Sequence, residues 1–233
     1  MTIGIITANF GRLPILEIFC AGIKRLREET GFNIPCVSVG DADGGEILAK
    51  YSIAFVEYPN TPLTAKFNRA CTELQSKCDY VLIMGSDNLI STATFLRIYA
   101  ECEKGIDLIG FSDVYFYGLD DVSTGKLIHF PHTQVLGVAR TISARVLDKV
   151  NWMPWGRPAD RGIDKIMLET IEPHVTTRTL LDGGFVVDMK TSFNLNPIRF
   201  WLKRLGAMPS DEKFWVSIGE EERRLVKEYI ENH

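Results

Sequence analysis

An acid and an amide follow directly on an apolar strand pattern in the stretch DYVLIMGSDN, residues 79–88. Five consecutive apolar side chains and a glycine precede Ser86, Asp87 and Asn88. Loops at strand ends of α/β sheets bind ligands, because they are exposed while the sheet beneath holds them rigid. A carboxylate and an amide oxygen there suit a hard divalent cation such as Mn²⁺ or Mg²⁺. The same residues could instead cap a helix expected from about Ser91, or form an Asx turn.

The elements that must position these residues alternate between strand and helix patterns in the N-terminal half of the chain. The strand patterns TIGIIT, IPCVSV, IAFVEY and YVLIM alternate with LPILEIFCAGIKRLREE, EILAKY, LTAKFNRACTEL and TATFLRIYAECEK. Near-continuous apolar strands separated by helices predict a mostly parallel sheet covered on both faces. The first helix places Leu16, Phe19, Ile23 and Leu26 on one stripe, so we expect it to pack on the sheet.

After Gly105 the pattern changes to two extended segments joined by a turn at residues 123–125, which predicts that the sheet becomes mixed. A helix TISARVLDKV, a loop NWMPWGRPADRG and a helix IDKIMLETI follow, then strands near VTTRTLL and GFVVDM. An amphipathic helix from about Gly219 ends the chain. We therefore predict one α/β domain over residues 1–196 and a C-terminal helical appendage over residues 197–233.

Composition narrows the class of protein. The chain has 233 residues, is 45% apolar and carries a net charge of −4, which is typical of a globular protein and not of one that coats nucleic acid. It has no apolar run long enough to span a membrane, and its start lacks the pattern of a signal peptide, so we expect a cytoplasmic location.

Cysteines and histidines offer few metal-binding patterns. Five cysteines, odd in number and without a CxxC pair, are expected to be reduced: Cys20, Cys36, Cys71, Cys78 and Cys102. His129 and His132 are three apart, a spacing that can serve a metal.

The order of the segments resembles that of GT-A fold glycosyltransferases, in particular glycosyltransferase family 2. ITANFGR resembles the family's first strand and turn, and NTPLTAKFNRACTEL its loop and helix before the acidic strand. YVLIMGSDN resembles the strand that ends in Asp-x-Asp, and GIDKIML the later acidic start of a helix. The resemblance covers about residues 2–190. It implies a Rossmann-like, mostly parallel sheet with a mixed C-terminal part, and a transferase that uses a nucleoside-diphosphate sugar, with UDP- or GDP-sugars favoured.

The metal motif departs from the family pattern, because Gly85 stands where the first acid is expected. The resemblance leaves Asp87 as the carboxylate that holds a divalent cation against the diphosphate, with Asn88 as an amide ligand. With one acid missing, we expect the cation to bind weakly or to be dispensable. Lys190, where relatives place a late ligand, could pair directly with phosphate oxygens, although a solvated strand-end lysine is the alternative.

The resemblance also implies a nucleotide pocket at the strand ends. Arg12 offers a planar cation suited to phosphate or to a base, or it is a solvated residue at a helix start. Asp41 would accept a hydrogen bond from a uracil or ribose, whereas Asp43 fits a turn equally well. On the helix LTAKFNRACTEL, Lys66 and Asn68 are the candidates for the pocket, and Arg69 is a weaker one. The full predicted set is Thr7, Ala8, Asn9, Arg12, Asp41, Lys66, Asn68, Ser86, Asp87 and Lys190.

An inverting enzyme of this kind needs a carboxylate that takes the proton of the acceptor hydroxyl. Asp164 matches the family's acid and Asp160 is its rival, but either could be a helix N-terminal acid stabilised by the dipole. Trp152 and Trp155 resemble an acceptor platform, and a buried loop anchor is the alternative.

Three functions compete on this evidence. The first is a glycosyltransferase acting on an acceptor hydroxyl of a glycan, a protein side chain or a modified nucleobase, although the charge does not indicate a nucleic-acid partner. The second is a sugar nucleotidyltransferase, which would need a glycine-rich phosphate loop where ITANFGRLP has one glycine. The third is a non-catalytic module that binds sugar nucleotides. Inverting and retaining chemistry both remain open.

Overall fold

The computed structural model describes residues 1–120, 123–191, 194 and 198–232. The strands in these ranges are β1 (Ile3–Asn9), β2 (Cys36–Gly40), β3 (Ala54–Glu57), β4 (Tyr80–Ile83), β5 (Asn88–Ile90), β6 (Leu108–Phe111), β7 (Asp113–Gly118), β8 (Leu127–Pro131), β9 (Arg140–Ser143), β10 (Arg178–Leu181) and β11 (Val186–Lys190). The helices are α1 (Leu13–Thr30), α2 (Gly45–Lys50), α3 (Leu63–Glu73), α4 (Thr92–Glu103), α5 (Ala144–Lys149), α6 (Ile163–Ile171), α7 (Ile198–Leu205), α8 (Glu212–Ser217) and α9 (Glu220–Asn232).

The main sheet has seven strands in the order β10-β6-β9-β4-β1-β2-β3. All neighbouring pairs are parallel except those of β9, which runs antiparallel to β4 and β6. Apolar residues of α1, including Leu16 and Phe19, pack on one face, and residues of α3 and α6, including Phe67 and Ile166, pack on the other. The predicted α/β fold, with a mostly parallel sheet covered on both faces, is confirmed.

A second sheet of four strands, in the order β5-β11-β7-β8, brings two distant parts of the chain together. β5 pairs antiparallel with β11, and Asp188 lies opposite Asn88. The main-chain N–H of Met189 donates to the carbonyl of Asp87 at 2.8 Å. This pairing fixes the SDN segment against β11.

At the ends of helices, one local expectation is wrong and one alternative is excluded. TISARVLDKV was expected to be one helix, but its first residues belong to β9 and α5 begins at Ala144. The β-branched Thr141 and Ile142 favour a strand, and the Ser143 hydroxyl accepts from the N–H of Val146, which starts the helix. The cap of α4 is the Ser91 side chain, so residues 86–88 do not cap that helix.

The C-terminal tail forms α7, α8 and α9, and α9 packs on α1. Arg25 donates from Nε to Glu222 Oε1 at 2.6 Å, and both residues are more than nine-tenths buried. The predicted division between residues 196 and 197 lies outside the described residues. Within the described part of the chain, no helix combines the length and the apolar character that crossing a membrane requires.

Candidate active site

A cavity of about 990 Å³ opens where the carboxyl ends of β1 and β4 meet the starts of α1, α3 and α6. The predicted site residues that line it are Ala8, Asn9, Arg12, Lys66, Ser86, Asp87, Asn88, Asp160, Asp164 and Lys190. These residues come from segments far apart in sequence, and the shared edge of the sheet brings them together. Three predicted residues, Thr7, Asp41 and Asn68, do not line the cavity.

Asp87 is held at one end of the cavity by three side-chain donors, of which Asn88 Nδ2 lies 3.3 Å from Asp87 Oδ1. Arg12 Nη1 lies 3.0 Å from Asp87 Oδ2, and the Asn194 side-chain amide donates to the same oxygen at 2.8 Å. Arg12 has a left-handed backbone (φ 48°) at the start of α1, which follows Gly11, also at positive φ. This turn aims the guanidinium at the strand exit that carries Asp87.

Asp188 also lines this end of the cavity, and the sequence did not indicate it. Lys190 Nζ donates to Asp188 Oδ2 at 2.6 Å, while Asp188 Oδ1 is buried and has no partner among the described residues. Burial raises the pKa of Asp188 to about 6; the Lys190 ammonium opposes this rise and the charge of Asp87 adds to it. The two residues are two apart on one strand and share a face, which is the spacing that could have revealed Asp188.

The side-chain ligands at this end of the cavity suit one divalent cation only if a bound diphosphate and water complete the coordination shell of the cation. Within the described ranges, no group of three or more His, Cys, Asp or Glu side chains could hold a metal. Asp87 and Asp188 offer two carboxylates, and the unpartnered oxygen of Asp188 is an available ligand. Mg²⁺ is commonly bound by one or two carboxylates together with substrate phosphates. The predicted amide ligand, Asn88 Oδ1, instead accepts from the Gly85 N–H at 2.6 Å.

Lys66 forms part of the cavity wall from α3. Its ammonium donates to the Asn9 carbonyl at 2.7 Å and to Asn60 Oδ1 at 3.0 Å. Burial lowers the pKa of Lys66, and the charge of Asp41 opposes the shift. Because the Lys66 ammonium is a donor at the cavity wall, it is suited to an anionic or carbonyl group of a ligand.

Asp41 does not line the cavity but binds residues that do. Its carboxylate accepts from Asn9 Nδ2 and from the Gly11 N–H, each at 3.1 Å. Both bonds hold the turn that carries Arg12. Asp41 therefore shapes the pocket turn in this structure, and its predicted contact with a base or ribose stays untested.

Thr7 and Asn68 lie outside the cavity lining and are surrounded by other parts of the protein. Thr7 is fully buried in β1, and its hydroxyl has no partner among the described residues. Asn68 holds the Trp155 backbone, accepting from its N–H at 3.0 Å and donating to its carbonyl at 2.9 Å. Arg69 is paired with Glu73 on the same helix.

Of the two tryptophans, Trp155 alone lines the cavity among the described residues. It is only 3% exposed and stacks on Phe67 with ring centroids 5.1 Å apart, so it anchors the loop and walls the cavity at once. Trp152 is buried and donates to Asp148 at 2.7 Å. The acceptor-platform interpretation therefore has a structural basis only at Trp155.

The two candidate bases differ in what their carboxylates contact. Asp160 Oδ1 accepts from the Leu63 N–H at 2.7 Å, at the start of α3. Asp164 lies in the first turn of α6, is exposed and has no side-chain hydrogen bond within the described chain. Asp164 is thus the carboxylate whose oxygens are open to a ligand, although its helical position also agrees with the dipole interpretation.

No histidine or cysteine of the described residues lines the cavity. His129 pairs with Asp113 at 3.0 Å, and His132 contacts the main chain of Gln134. The five cysteine thiols are unpaired, and burial raises the pKa of Cys36 to about 12. Other cavity residues that the sequence did not indicate are Phe10, Asn60, Gly137, Val138, Asn194 and Tyr229.

Comparisons with known proteins bear on the fold. The sequence matches no family model and no curated protein at a significant level. Staphylococcus aureus TarS (residues 1–349) superposes with a TM-score of 0.56 at 12% identity, covering 81% of this chain and 60% of that one. The inositol-1-phosphate CTP transferase of Thermotoga maritima gives 0.53 at 12% identity, covering 88% and 95%. A mycobacterial protein gives 0.56 at 11% identity, covering 82% and 68%.

Identities this low bear on architecture only. This chain spans 60% of the length of the TarS chain, and nearly the whole length of the CTP transferase. The cavity at the carboxyl edge lies where ligands bind in open α/β sheets. The chain has the Rossmann-like fold of the nucleotide-diphospho-sugar transferases.

Proposed function

We propose that this protein is a glycosyltransferase that moves a sugar from a nucleoside-diphosphate sugar, with UDP- or GDP-sugars favoured, to an acceptor hydroxyl. The observation that carries the proposal is the arrangement of charge in one cavity. Two cation–carboxylate pairs, Arg12–Asp87 and Lys190–Asp188, stand at the strand ends, and the open carboxylate of Asp164 lies on the wall formed by α6.

The end with the two ion pairs is suited to the diphosphate. Arg12 and Lys190 can each turn donors from a carboxylate to phosphate oxygens, and such charge-assisted bonds are stronger than neutral ones. A divalent cation held by Asp87 and Asp188 would neutralise the charge that develops on the departing diphosphate. Because two protein cations already stand there, we propose that nucleotide binding persists without metal.

The wall with Asp164 is suited to the acceptor. In an inverting transfer, the acceptor oxygen attacks the anomeric carbon, the bond to the diphosphate breaks, and a carboxylate takes the hydroxyl proton. Asp164 is placed to accept that proton, since its oxygens are not committed to the protein. Asp160 has one oxygen bound to the Leu63 N–H and is the weaker candidate.

A thermal-shift panel of UDP-, GDP-, CMP- and dTDP-sugars, each with and without Mn²⁺, tests the proposal. A ligand at 100 times its dissociation constant stabilises the folded state by about 2.7 kcal/mol. We expect a shift for a nucleoside-diphosphate sugar and release of the nucleoside diphosphate over time. If a sugar nucleotide shifts the melting temperature but no nucleoside diphosphate is released, with any acceptor or by hydrolysis, a non-catalytic binding module is favoured instead.

A second candidate is nucleotidyl transfer, in which a sugar phosphate attacks a nucleoside triphosphate. It is favoured by the pair of carboxylates Asp87 and Asp188 and by the fold match along 95% of the T. maritima CTP transferase. The products separate the two reactions. Pyrophosphate released from CTP or UTP with glucose 1-phosphate supports the second candidate, whereas UDP or GDP released from a sugar nucleotide supports the first.

Replacing Asp164 tests the assignment of the base. Asp164→Asn keeps the shape of the side chain but cannot take a proton, so turnover should fall by about 10²-fold or more. Binding of UDP, measured by calorimetry, should change little, because Asp164 lies on the acceptor wall. An unchanged turnover would move the role to Asp160, whose Asp160→Asn variant is the matched comparison.

A further inference from the structure

Arg140 is a buried cation at the ligand edge of the sheet. Because β9 runs antiparallel to β4, its first residue, Arg140, pairs with Ile83 at the carboxyl end of β4. The Arg140 side chain is fully buried. It donates from Nη1 to the main-chain carbonyl of Asp164 at 3.2 Å and from Nη2 to that of Val135 at 3.0 Å. One guanidinium thus joins the segment before β9 to the first turn of α6.

The charges of Arg140 and Asp164 also attract each other. Burial lowers the pKa of Arg140 to about 10, and the charge of Asp164 opposes that shift. Asp164 therefore stabilises the buried guanidinium electrostatically as well as through its carbonyl. The interaction is reciprocal, because a Coulomb energy belongs to both partners.

Gly137 is the residue against which the Asp164 carboxylate rests. A Cβ built on Gly137 would lie 1.9 Å from Asp164 Oδ1 and 2.3 Å from its Cγ, far inside van der Waals contact. Gly137 lines the cavity, and its backbone is not in the left-handed region. The backbone conformation would therefore accept alanine, and the three heavy atoms nearest to the new Cβ all belong to the Asp164 carboxyl group.

We infer that Gly137 and Arg140 form a seat that fixes the Asp164 carboxylate in its position for proton transfer, which makes both of them positioning residues. The inference rests on the role proposed above for Asp164. Arg140 links the two backbone segments by donating to the carbonyls of Val135 and Asp164. Gly137 has no side chain, which leaves the space that the Asp164 carboxylate occupies. Misplacing a reacting group by about 1 Å can cost about 10²-fold in rate, so the seat bears directly on turnover.

The Gly137→Ala variant tests the seat with a single methyl group. The new Cβ must displace the Asp164 carboxylate from this position, and because Asp164 is exposed, the displaced carboxylate can move into solvent without disturbing the fold. We expect turnover to fall by about 10-fold or more through misplacement of the base. The readout is UDP or GDP release from UDP-glucose or GDP-mannose, whichever the wild-type protein cleaves faster. UDP binding by calorimetry and the melting temperature should stay close to wild type.

Two further proteins isolate the path through Asp164. In an Asp164→Asn background, Gly137→Ala should lower turnover by less than about twofold, because residues that act as a unit are not additive. Gly156→Ala is the matched control: its Cβ would meet the Thr170 hydroxyl of the same helix at 2.8 Å, but Gly156 is not among the cavity residues. It should leave turnover near wild type.

Arg140 is tested by a conservative pair. Arg140→Lys keeps a cation that can reach one of the two carbonyls, so it should restore part of the turnover that Arg140→Met loses, with donor binding unchanged. If these buried substitutions prevent folding, Gly137→Ala still decides the inference, since it leaves the buried cation in place.

The outcomes separate the inference from the function on which it rests. A dead Asp164→Asn protein together with a fully active Gly137→Ala protein would overturn the seat and leave the proposed base intact. An active Asp164→Asn protein would overturn the base. In that case a crystal structure of Gly137→Ala decides the seat without any substrate: a displaced carboxylate supports it, and an unmoved one overturns it.

Discussion

Two clusters of charge in this molecule have similar members and opposite surroundings. The helix clamp, made of Arg25, Glu222, Thr92 and Ile90, joins α1 to α9, to the end of β5 and to the start of α4. Arg25 donates to Glu222 at 2.6 Å, to the Thr92 hydroxyl at 2.7 Å and to the Ile90 carbonyl at 2.8 Å. The cavity cluster, made of Arg12, Asp87, Asp188 and Lys190, also pairs cations with acids.

The difference lies in how completely each cluster satisfies its own groups. All three nitrogens of the Arg25 guanidinium have acceptors, and Glu222 is 1% exposed. The cavity cluster leaves Asp188 Oδ1 buried without a partner in the described chain, and its members line an open space. A buried polar atom without a partner costs free energy unless a ligand supplies one. We infer that the first cluster stabilises the fold and the second one awaits a ligand.

The largest effect is expected in the cavity cluster, on activity. Asp87→Ala removes a carboxylate that contacts the proposed diphosphate and cation, so sugar transfer should fall below detection. Arg12 loses its carboxylate partner but keeps Asn194 Oδ1 at 3.3 Å and is 25% exposed, so water can solvate it and the melting temperature should hardly change. Product release and a thermal melt measured on the same preparation check both statements. An Asp87→Ala protein with full activity would remove the cavity cluster from the site.

The next effect is expected in the helix clamp, on stability. Glu222→Gln removes the buried one of the two carboxylates that pair with Arg25 and leaves Glu29 at 3.6 Å. Breaking a buried ion pair costs about 3–5 kcal/mol. We expect the lower end of that range, because Arg25 keeps its bonds to Thr92 and Ile90. Urea unfolding measures the loss.

The exposed pair between the same two helices supplies the control for that measurement. Lys24 and Glu221 are 45% and 30% exposed, so Lys24→Ala should reduce the free energy of unfolding much less than Glu222→Gln does. Equal losses for the two variants would contradict the distinction between a buried clamp and a surface contact. If α9 were a loosely attached appendage, neither variant would change the unfolding free energy.

The convergence of the donor-side residues could be predicted from the sequence. Arg12 and Asp87 follow β1 and β4, which are parallel neighbours in the main sheet, so their proximity needs no side-chain detail. Lys190 ends β11 of the second sheet, and only the family resemblance predicted that it joins them. Asp188 could have been found too, because it shares a strand face with Lys190. Its partnership with Asp87 depends on the antiparallel register of β5 and β11, which local sequence does not encode.

The seat of Asp164 lay beyond sequence reasoning for a physical reason. β9 is four residues long and adjoins a helix, so TISARVLDKV has no periodicity that separates strand from helix. Reading it as one helix hid that Arg140 begins a strand at the cavity edge. The arrival of Tyr229 at the cavity is likewise a matter of tertiary packing, since α9 reaches it only by packing on α1.

The smallest effect concerns the cation that the cavity cluster carries in place of a missing acid. Lys190→Ala should weaken metal-free binding of UDP or GDP by about 1.5–3 kcal/mol, the range for hydrogen bonds to charged groups. Calorimetry in EDTA measures it, and Lys50→Ala, an exposed lysine paired with Glu17, is the control that should bind normally. Binding that vanishes in EDTA even for the wild-type protein would show that the cation is required after all.

The double variant Lys190→Ala/Asp188→Asn sharpens that result by separating two ways in which Lys190 can act. If its ammonium bonds to phosphate directly, removing the Asp188 charge as well will not restore the lost affinity. Lys190 Nζ lies 2.6 Å from Asp188 Oδ2, so the main effect of Lys190 could instead be to neutralise Asp188. The double variant should then recover most of the binding, because the repulsion between the Asp188 carboxylate and the diphosphate disappears. We expect the first outcome. In the free protein Lys190 serves Asp188, and a diphosphate offers the same ammonium stronger acceptors with more charge. A full recovery would make the cavity cluster resemble the helix clamp, with a lysine that balances a buried acid and no direct part in binding.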